Sequence, residues 1–278
     1  MADTGKTTKA PDGRTLCYAE WGDPNGRPVF SLHGTPGCRL LSSRKVEHQF
    51  DELAGALGAR VITYDRPGYG GSDRNAGRRV VDSVGDVTAI AAAIGLEKFA
   101  VEGGSSGSIH AMATAQVLFD QVTRIGLSAP MAPYFELGHE QWSQGQDDEV
   151  KEYIGWCKLG EKRFAAEMTT EDARMRQAVS ADDPKQASVF EQTKNGVWGW
   201  VDDEMAALTP WGFSPASIRL PVLILYDPEE TILPRQHGEW LASHIKGSTL
   251  EVSTALGHRQ MGDPRPDWTR MYQWLVDN

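Results

Sequence analysis

Short runs of apolar and β-branched residues alternate with longer helix-forming stretches over most of the chain. Seven runs predict strands, at residues 15–21, 29–32, 60–64, 99–102, 122–127, 222–226 and 249–252. Five stretches predict helices, at residues 46–57, 82–94, 106–119, 237–245 and 268–276. Residues 222–225 are apolar throughout, which is typical of a strand buried on both faces. This alternation predicts an α/β fold whose mostly parallel, doubly wound sheet is covered by helices on both sides.

The alternation breaks between residues 131 and 215, where the sequence is polar and helix-forming. This stretch holds five of the nine tryptophans and most of the excess of acidic over basic residues. We interpret it as a helical cap, residues 131–215, inserted into a core formed by residues 1–130 and 216–278. The alternative is an ordinary helical extension with a solvated acidic face. Trp198 or Trp200 is a candidate for contact with an apolar substrate, and packing within the cap is the competing interpretation.

The composition of the 278 residues excludes several classes of protein. The formal net charge is −10 and the chain has no basic patch, so we expect no nucleic-acid partner. Cys17, Cys38 and Cys157 fit neither a disulfide framework nor a zinc pattern, and we expect no metal ion and no organic cofactor. The N-terminus is polar, and no apolar run is long enough to span a bilayer. We therefore expect a cytoplasmic protein without a membrane partner, and its oligomeric state stays open.

A Gly103-x-Ser105-x-Gly107 pattern lies between a predicted strand and a predicted helix. In this context the pattern is typical of a serine nucleophile on a tight, strained strand-to-helix turn, which larger residues at the glycine positions would crowd. Ser106 and Ser108 are close neighbours, but only Ser105 has glycine both two residues before and two residues after it. We therefore predict Ser105 as the nucleophile. A simple glycine-rich turn is the alternative.

The loop of residues 33–37, which reads His-Gly-Thr-Pro-Gly, directly follows a predicted strand. Such a loop can direct a backbone N–H group at a carbonyl oxygen held by Ser105. We predict the N–H groups of Thr35 and Ser106 as the two oxyanion donors. We expect His33 to be a structural histidine that hydrogen-bonds within the loop rather than an acid or base.

A histidine and three carboxylates follow the last two predicted strands. A serine hydroxyl needs a base to remove its proton, and His258, which lies 153 residues beyond Ser105, is the candidate base. A carboxylate that follows strand 222–226 would orient the imidazole and stabilise its charged form. Asp227, Glu229 and Glu230 compete for this role.

Four motifs together carry a resemblance to a known family. They are residues 33–37, residues 64–72 (Tyr-Asp-Arg-Pro-Gly-Tyr-Gly-Gly-Ser), residues 103–108 and the Gly-His pair at 257–258. With them the chain resembles the α/β-hydrolase fold superfamily, in its capped, proline-iminopeptidase-like group. The resemblance covers the chain outside the cap, and it implies that the cap is inserted after the sixth core strand of the fold.

The resemblance also ranks the candidate acids. In that family the acid is usually an aspartate four residues before a proline, and counting back from Pro234 reaches Glu230. Glutamate is one methylene longer, and Asp227 stands where relatives usually carry glycine, so Asp227 and Glu229 stay open as alternatives. We expect Asp65 or Arg66, in the loop after the strand at 60–64, to brace the oxyanion loop.

These residues predict a serine hydrolase that cleaves an ester, amide or related acyl bond of a small molecule. Ser105 attacks the carbonyl, His258 transfers the proton, Glu230 orients His258, and an acyl-enzyme forms and is hydrolysed. The main alternative is a non-hydrolytic lyase or cyclase on the same fold. A proline-type aminopeptidase and a non-catalytic ligand-binding protein are less favoured, the former because proline iminopeptidases typically carry glycine at the position of Thr35.

Overall fold

Eight strands form one sheet in the computed structural model, which describes residues 3–179, 187–253, 255–258 and 263–277. Within these residues the strands are β1 (Asp3–Lys9), β2 (Thr15–Gly22), β3 (Arg27–Leu32), β4 (Ala59–Tyr64), β5 (Phe99–Gly104), β6 (Val122–Ser128), β7 (Val222–Tyr226) and β8 (Thr249–Val252). Their order across the sheet is β1-β2-β4-β3-β5-β6-β7-β8. Strands β3 to β8 are parallel to one another, whereas β1 and β2 form an antiparallel edge. The predicted α/β fold with a mostly parallel sheet is confirmed.

All seven predicted strands are present, and the structure adds β1 at one edge of the sheet. The segment that forms β1 is polar, with lysine and threonine at most positions, so it lacks the apolar alternation that identifies a half-buried strand. It pairs only with β2, from Asp3 opposite Glu20 to Lys9 opposite Thr15. Polar and charged residues are common on an edge strand, where they discourage pairing with another chain.

Ten helices are described. They are α1 (Arg44–Ala56), α2 (Ser83–Ala93), α3 (Gly107–Val117), α4 (Tyr134–Trp142), α5 (Asp148–Cys157), α6 (Glu161–Gln177), α7 (Ala187–Gln192), α8 (Trp198–Ala207), α9 (Gln236–His244) and α10 (Arg265–Val276). Helices α2, α3 and α9 cover one face of the sheet, where they pack around residues such as Phe30 and Ile62. Helices α1 and α10 cover the other face through Phe50 and Tyr272, so both faces of the sheet are buried.

Helices α4 to α8 occupy the chain between β6 and β7, where the sequence predicted a helical insertion. Side chains of α5, α6 and α8 form an apolar cluster of their own that includes Phe164, Met168 and Trp200. Tyr69, from the loop after β4, also belongs to this cluster and so joins it to the sheet. The division into a core of 1–130 and 216–278 and a cap of 131–215 stays a prediction.

None of the described helices combines the length and the apolar character that crossing a membrane requires. Among the described residues, no group of three or more His, Cys, Asp or Glu side chains is placed to hold a metal ion. The three cysteines are buried and form no disulfide with one another. The cytoplasmic location and the expected lack of a nucleic-acid partner stay predictions.

Candidate active site

Ser105 lies on the turn between β5 and α3, at the carboxyl end of the central strand. Its backbone φ is 54°, in the left-handed region that non-glycine residues rarely adopt and that stores strain. A Cβ atom at Gly103 would lie 2.3 Å from the carbonyl oxygen of Gly107, and one at Gly107 would lie 1.9 Å from that of Leu32. The backbone approaches both positions so closely that only glycine fits, as the sequence predicted. Because neither glycine has a side chain, α3 can begin directly behind Ser105.

The structure brings Ser105, His258 and Glu230 together. The Nε2 atom of His258 lies 2.9 Å from the Oγ atom of Ser105. Its other ring nitrogen, Nδ1, lies 3.1 Å from the Oε2 atom of Glu230, although the angle falls short of a well-formed hydrogen bond. Oε2 also accepts the backbone N–H of His258 at 2.7 Å. The imidazole is therefore placed between a hydroxyl and a carboxylate, the arrangement that activates a serine.

The Glu230 carboxylate is buried, and backbone N–H groups hold its position. The backbone N–H groups of Thr231 and Ile232 donate to its Oε1 atom at 2.9 Å and 2.8 Å. Burial alone would raise the pKa of Glu230, but the neighbouring His258 ring and the backbone N–H groups of Ile232 and His258 outweigh burial and lower the pKa to about 2. The carboxyl is therefore ionised throughout the neutral range and available to stabilise a charged imidazole.

The two alternative carboxylates occupy different positions. The Asp227 side chain is buried beside Gly257, and its Oδ1 atom accepts the backbone N–H of Glu229 at 2.9 Å. Glu229 is exposed. Among the described contacts of the His258 ring, the carboxylate is that of Glu230, at 3.1 Å.

The two predicted oxyanion donors border the same cavity as Ser105. Gly34 packs against the nucleophile, because a Cβ atom there would lie 3.3 Å from the Cβ of Ser105. Within the described part of the chain, the backbone N–H groups of Thr35 and Ser106 have no protein acceptor. Two N–H groups at this position can stabilise the oxyanion of a tetrahedral intermediate.

His33 and Arg66 stabilise the loop around Thr35. The Nε2 atom of His33 accepts the backbone N–H of Arg66 at 3.2 Å. Desolvation and the neighbouring Arg66 charge lower the pKa of His33 well below its usual value, so the ring is neutral. The guanidinium of Arg66 is fully buried and donates to the carbonyl oxygens of His33 and of Gly34, the latter at 3.0 Å. His33 thus has the expected structural contacts, and Arg66 braces the loop directly. Asp65 instead binds Arg39 at 2.7 Å and the backbone N–H of Gly71 at 2.8 Å.

A buried cluster of charges connects this loop to α8. Asp203 of α8 accepts hydrogen bonds from Arg66 at 2.6 Å, from Arg78 at 2.6 Å and from the hydroxyl of Thr35 at 3.0 Å. Burial alone would raise the pKa of Asp203, but Arg66 and Arg78 hold it well below its usual range. His110 lies beside the cluster, where burial lowers its pKa to about 3, so it does not serve as a proton carrier near neutral pH. Asp203 had no signal in the sequence.

A cavity of about 760 Å³ lies above Ser105 between the sheet edge and the helices that follow β6. Trp200 lines the cavity. Trp198 is not among the described residues that line it, and the guanidinium carbon of Arg74 lies 4.2 Å from the centre of the Trp198 ring. Of the two tryptophans predicted to contact substrate, only Trp200 is placed to do so.

Tyr153 and Glu204 also line the cavity, and the sequence interpretation did not include them. The indole N–H of Trp200 donates to the Tyr153 hydroxyl at 2.7 Å, and that hydroxyl donates to Glu204 at 2.9 Å. Burial raises the pKa of Glu204 to about 7. Glu204 lies four residues after Trp200 in α8, and this helical spacing was a signal that could have identified it.

Comparisons with known proteins bear on the family and the fold of the chain. A family model described as alpha/beta hydrolase fold matches residues 27–260. A proline iminopeptidase of Xylella fastidiosa (strain 9a5c) is 33% identical over 119 residues, which are 42% of this chain and 36% of that protein. A non-heme chloroperoxidase of Streptomyces lividans is 33% identical over 102 residues, which are 36% of this chain and 35% of that protein. The matched segments thus span about a third of the length of these curated relatives.

Among solved structures, an esterase from Exiguobacterium antarcticum superposes with a TM-score of 0.69. The match covers 99% of this chain and 100% of the esterase, at 22% sequence identity. At this level of identity the superposition concerns the fold.

Proposed function

The chain belongs to the α/β-hydrolase fold family, and from this premise we propose that it is a serine hydrolase that cleaves an ester, amide or related acyl bond of a small molecule. The membership confirms the resemblance that the sequence motifs carry, and it supports the hydrolase class. The observation that carries the proposal is the 2.9 Å contact between Ser105 and His258, with Glu230 at the other ring nitrogen. The helices at 131–215 are proposed to act as a cap that shapes the cavity above Ser105.

The proposed reaction has two halves. The Oγ atom of Ser105 attacks the carbonyl carbon while Nε2 of His258 takes the hydroxyl proton. The N–H groups of Thr35 and Ser106 stabilise the resulting oxyanion, and each such donor contributes roughly 3–4 kcal/mol in comparable sites. The C–O or C–N bond then breaks, the leaving group takes the proton from His258, and the acyl group stays on Ser105.

Water completes the cycle. His258 takes a proton from a water molecule, whose oxygen attacks the acyl carbon of the acyl-enzyme. Collapse of the second tetrahedral intermediate releases a carboxylic acid and returns the proton to Ser105. The carboxylate of Glu230 stabilises the imidazolium that forms in both halves.

Hydrolysis of short activated esters tests this proposal. We expect the wild-type protein to release p-nitrophenol from p-nitrophenyl acetate and butyrate, and Ser105→Ala to remove nearly all of that turnover. Ser217→Ala is the matched control, because Ser217 is exposed and its hydroxyl donates to the carbonyl oxygen of Ser214. Turnover that survives in Ser105→Ala would overturn the mechanism. A natural substrate whose product never takes up oxygen from labelled water would favour the lyase or cyclase alternative.

A second candidate function is an aminopeptidase, and the charge of the cavity favours it. Arg174 is the only lysine or arginine among the described lining residues, against four glutamates besides the buried Glu204: Glu149, Glu152, Glu167 and Glu171. Negative charge around a cavity attracts a cationic amine and raises its local concentration. Turnover of L-prolyl-p-nitroanilide, and its loss when the amine is acetylated, would support this candidate. Turnover of the esters alone would exclude it.

A further inference from the structure

A chain of hydroxyl groups connects the two proposed oxyanion residues to Asp203. The Oγ atom of Ser106 lies 2.6 Å from the Oγ1 atom of Thr35, and Oγ1 lies 3.0 Å from the Oδ2 atom of Asp203. An ionised carboxylate only accepts hydrogen bonds, so the Thr35 hydroxyl must donate to Asp203. Thr35 Oγ1 therefore accepts from Ser106, and the direction of both hydrogen bonds is fixed.

Two buried arginines hold the carboxylate of Asp203 beside the Thr35 hydroxyl. Arg66 donates to its Oδ2 atom at 2.6 Å, and Arg78 donates to its Oδ1 atom at 2.6 Å. All three side chains are at least 96% buried, so water does not compete for these contacts. The same Arg66 also donates to the carbonyl oxygen of Gly34, directly before Thr35. Two paths, one through a hydroxyl and one through a guanidinium, thus run from α8 to the oxyanion loop.

We propose that Asp203 is a positioning residue that sets the spacing of the Thr35 and Ser106 N–H groups through the Thr35 hydroxyl. The inference rests on the proposed function, and it makes α8 a part of the catalytic apparatus as well as a wall of the cavity. Because an oxyanion donor acts only when it is placed to within a fraction of an ångström, loss of this chain should affect the transition state more than substrate binding.

Thr35→Val tests the proposal, because it keeps the backbone N–H and the side-chain shape and removes only the hydroxyl. We expect kcat for p-nitrophenyl butyrate to fall roughly 10- to 100-fold with KM changed less than about 2-fold. Thr35→Ser should restore most of the lost kcat. Thr88→Val is the matched control, since Thr88 is exposed on α2 and its hydroxyl donates to a carbonyl oxygen of its own helix.

A double-mutant cycle separates this role from a general structural one. If the two hydroxyls act as one chain, Ser106→Ala and Thr35→Val should each lower kcat, and the double variant should lose little more than either single variant. Asp203→Asn should likewise lower kcat without raising KM. If that variant does not fold, because Arg66 and Arg78 lose a charged partner, the Thr35–Ser106 cycle still decides the question.

The outcomes distinguish this inference from the proposed function. A wild-type protein with no turnover of any activated ester would overturn the proposed function, and this inference with it. Wild-type turnover with Thr35→Val as active as Thr88→Val would overturn the inference alone. The inference would also be overturned if the double variant lost kcat by the product of the two single losses. A higher KM at constant kcat would overturn it too.

Discussion

Replacing Glu230 with glutamine changes the charge of the proposed acid while keeping its size. The amide oxygen of Glu230→Gln can still accept the backbone N–H groups of Thr231 and Ile232, as Oε1 does now. The amide nitrogen then replaces Oε2, which faces both the ring Nδ1 and the backbone N–H of His258. Two donors would then face each other at His258, and the imidazolium would lose its counter-charge.

The size of the effect follows from the pKa of the carboxyl. A fall from the ordinary value of 4.5 to about 2 means that the site favours the ionised form by about 3 kcal/mol. If loss of that charge raises the barrier by a similar amount, turnover falls about 10²-fold. If the imidazole also adopts the wrong tautomer, the loss rises toward the roughly 10⁴-fold seen when a triad acid is replaced by its amide. We therefore predict a roughly 10²- to 10⁴-fold decrease in kcat.

The assay measures kcat on p-nitrophenyl butyrate for Glu230→Gln, Asp227→Asn and Glu229→Gln, with thermal unfolding as a check on folding. We expect Glu229→Gln to stay within about 2-fold of the wild type, since Glu229 is an exposed side chain. Asp227→Asn should lose far less activity than Glu230→Gln. A folded Glu230→Gln that keeps kcat within tenfold, beside an Asp227→Asn that loses more, would refute the assignment.

Three further predictions concern the turn, the cavity and the pH dependence of stability. Gly107→Ala should lower the free energy of unfolding by roughly 1–3 kcal/mol or prevent folding, whereas Gly85→Ala, on α2 with open space around it, should raise it slightly. Trp200→Ala should change kcat/KM for bulky esters about tenfold or more relative to acetate, and Trp198→Ala should change it less than about 2-fold. The pKa of Glu204 in the folded state, about 7, lies above its ordinary value of 4.5, so its contribution to stability is complete below pH 4.5 and is lost as the pH rises through 7. The wild type should therefore lose about 2–3 kcal/mol of stability relative to Glu204→Gln between pH 5 and pH 8.5.

Each of these predictions has a contradicting outcome. If urea unfolding gave Gly107→Ala and Gly85→Ala the same free energy of unfolding, the close backbone approach at Gly107 would not exclude a Cβ atom there. Equal effects of the two tryptophan variants on ester preference would contradict the placement of Trp200 in the cavity wall. If the free energies of unfolding of the wild type and of Glu204→Gln differed by a constant amount from pH 5 to pH 8.5, Glu204 would have an ordinary pKa in the folded state.

The sheet was predictable because its signals are local, and the prediction of Ser105 as the nucleophile rests on a local signal too. Buried strands such as β7 are continuous apolar runs, and the turn around Ser105 needs glycine at fixed offsets whatever the rest of the chain does. The polar edge strand β1 carries no such signal. Glu230 was ranked above Asp227 and Glu229 only by the resemblance, because the three carboxylates are equivalent in local sequence.

The contacts of α8 were not predictable, because they join residues that are distant in sequence. Asp203 meets Thr35 across 168 positions and Arg66 across 137, and no periodic pattern links them. The two tryptophans differ for a geometric reason. Residues two apart on a helix point in directions about 200° apart, so Trp200 faces the cavity and Trp198 faces Arg74.

The most direct test of a serine hydrolase with Ser105 as its nucleophile is reaction with a fluorophosphonate probe, followed by intact mass and peptide mapping. The probe forms a stable bond only with a serine that an adjacent base activates. We predict one adduct per chain, on Ser105, and no adduct in Ser105→Ala. An adduct on Ser106 or Ser108, or no adduct in folded protein that the probe can enter, would contradict this assignment.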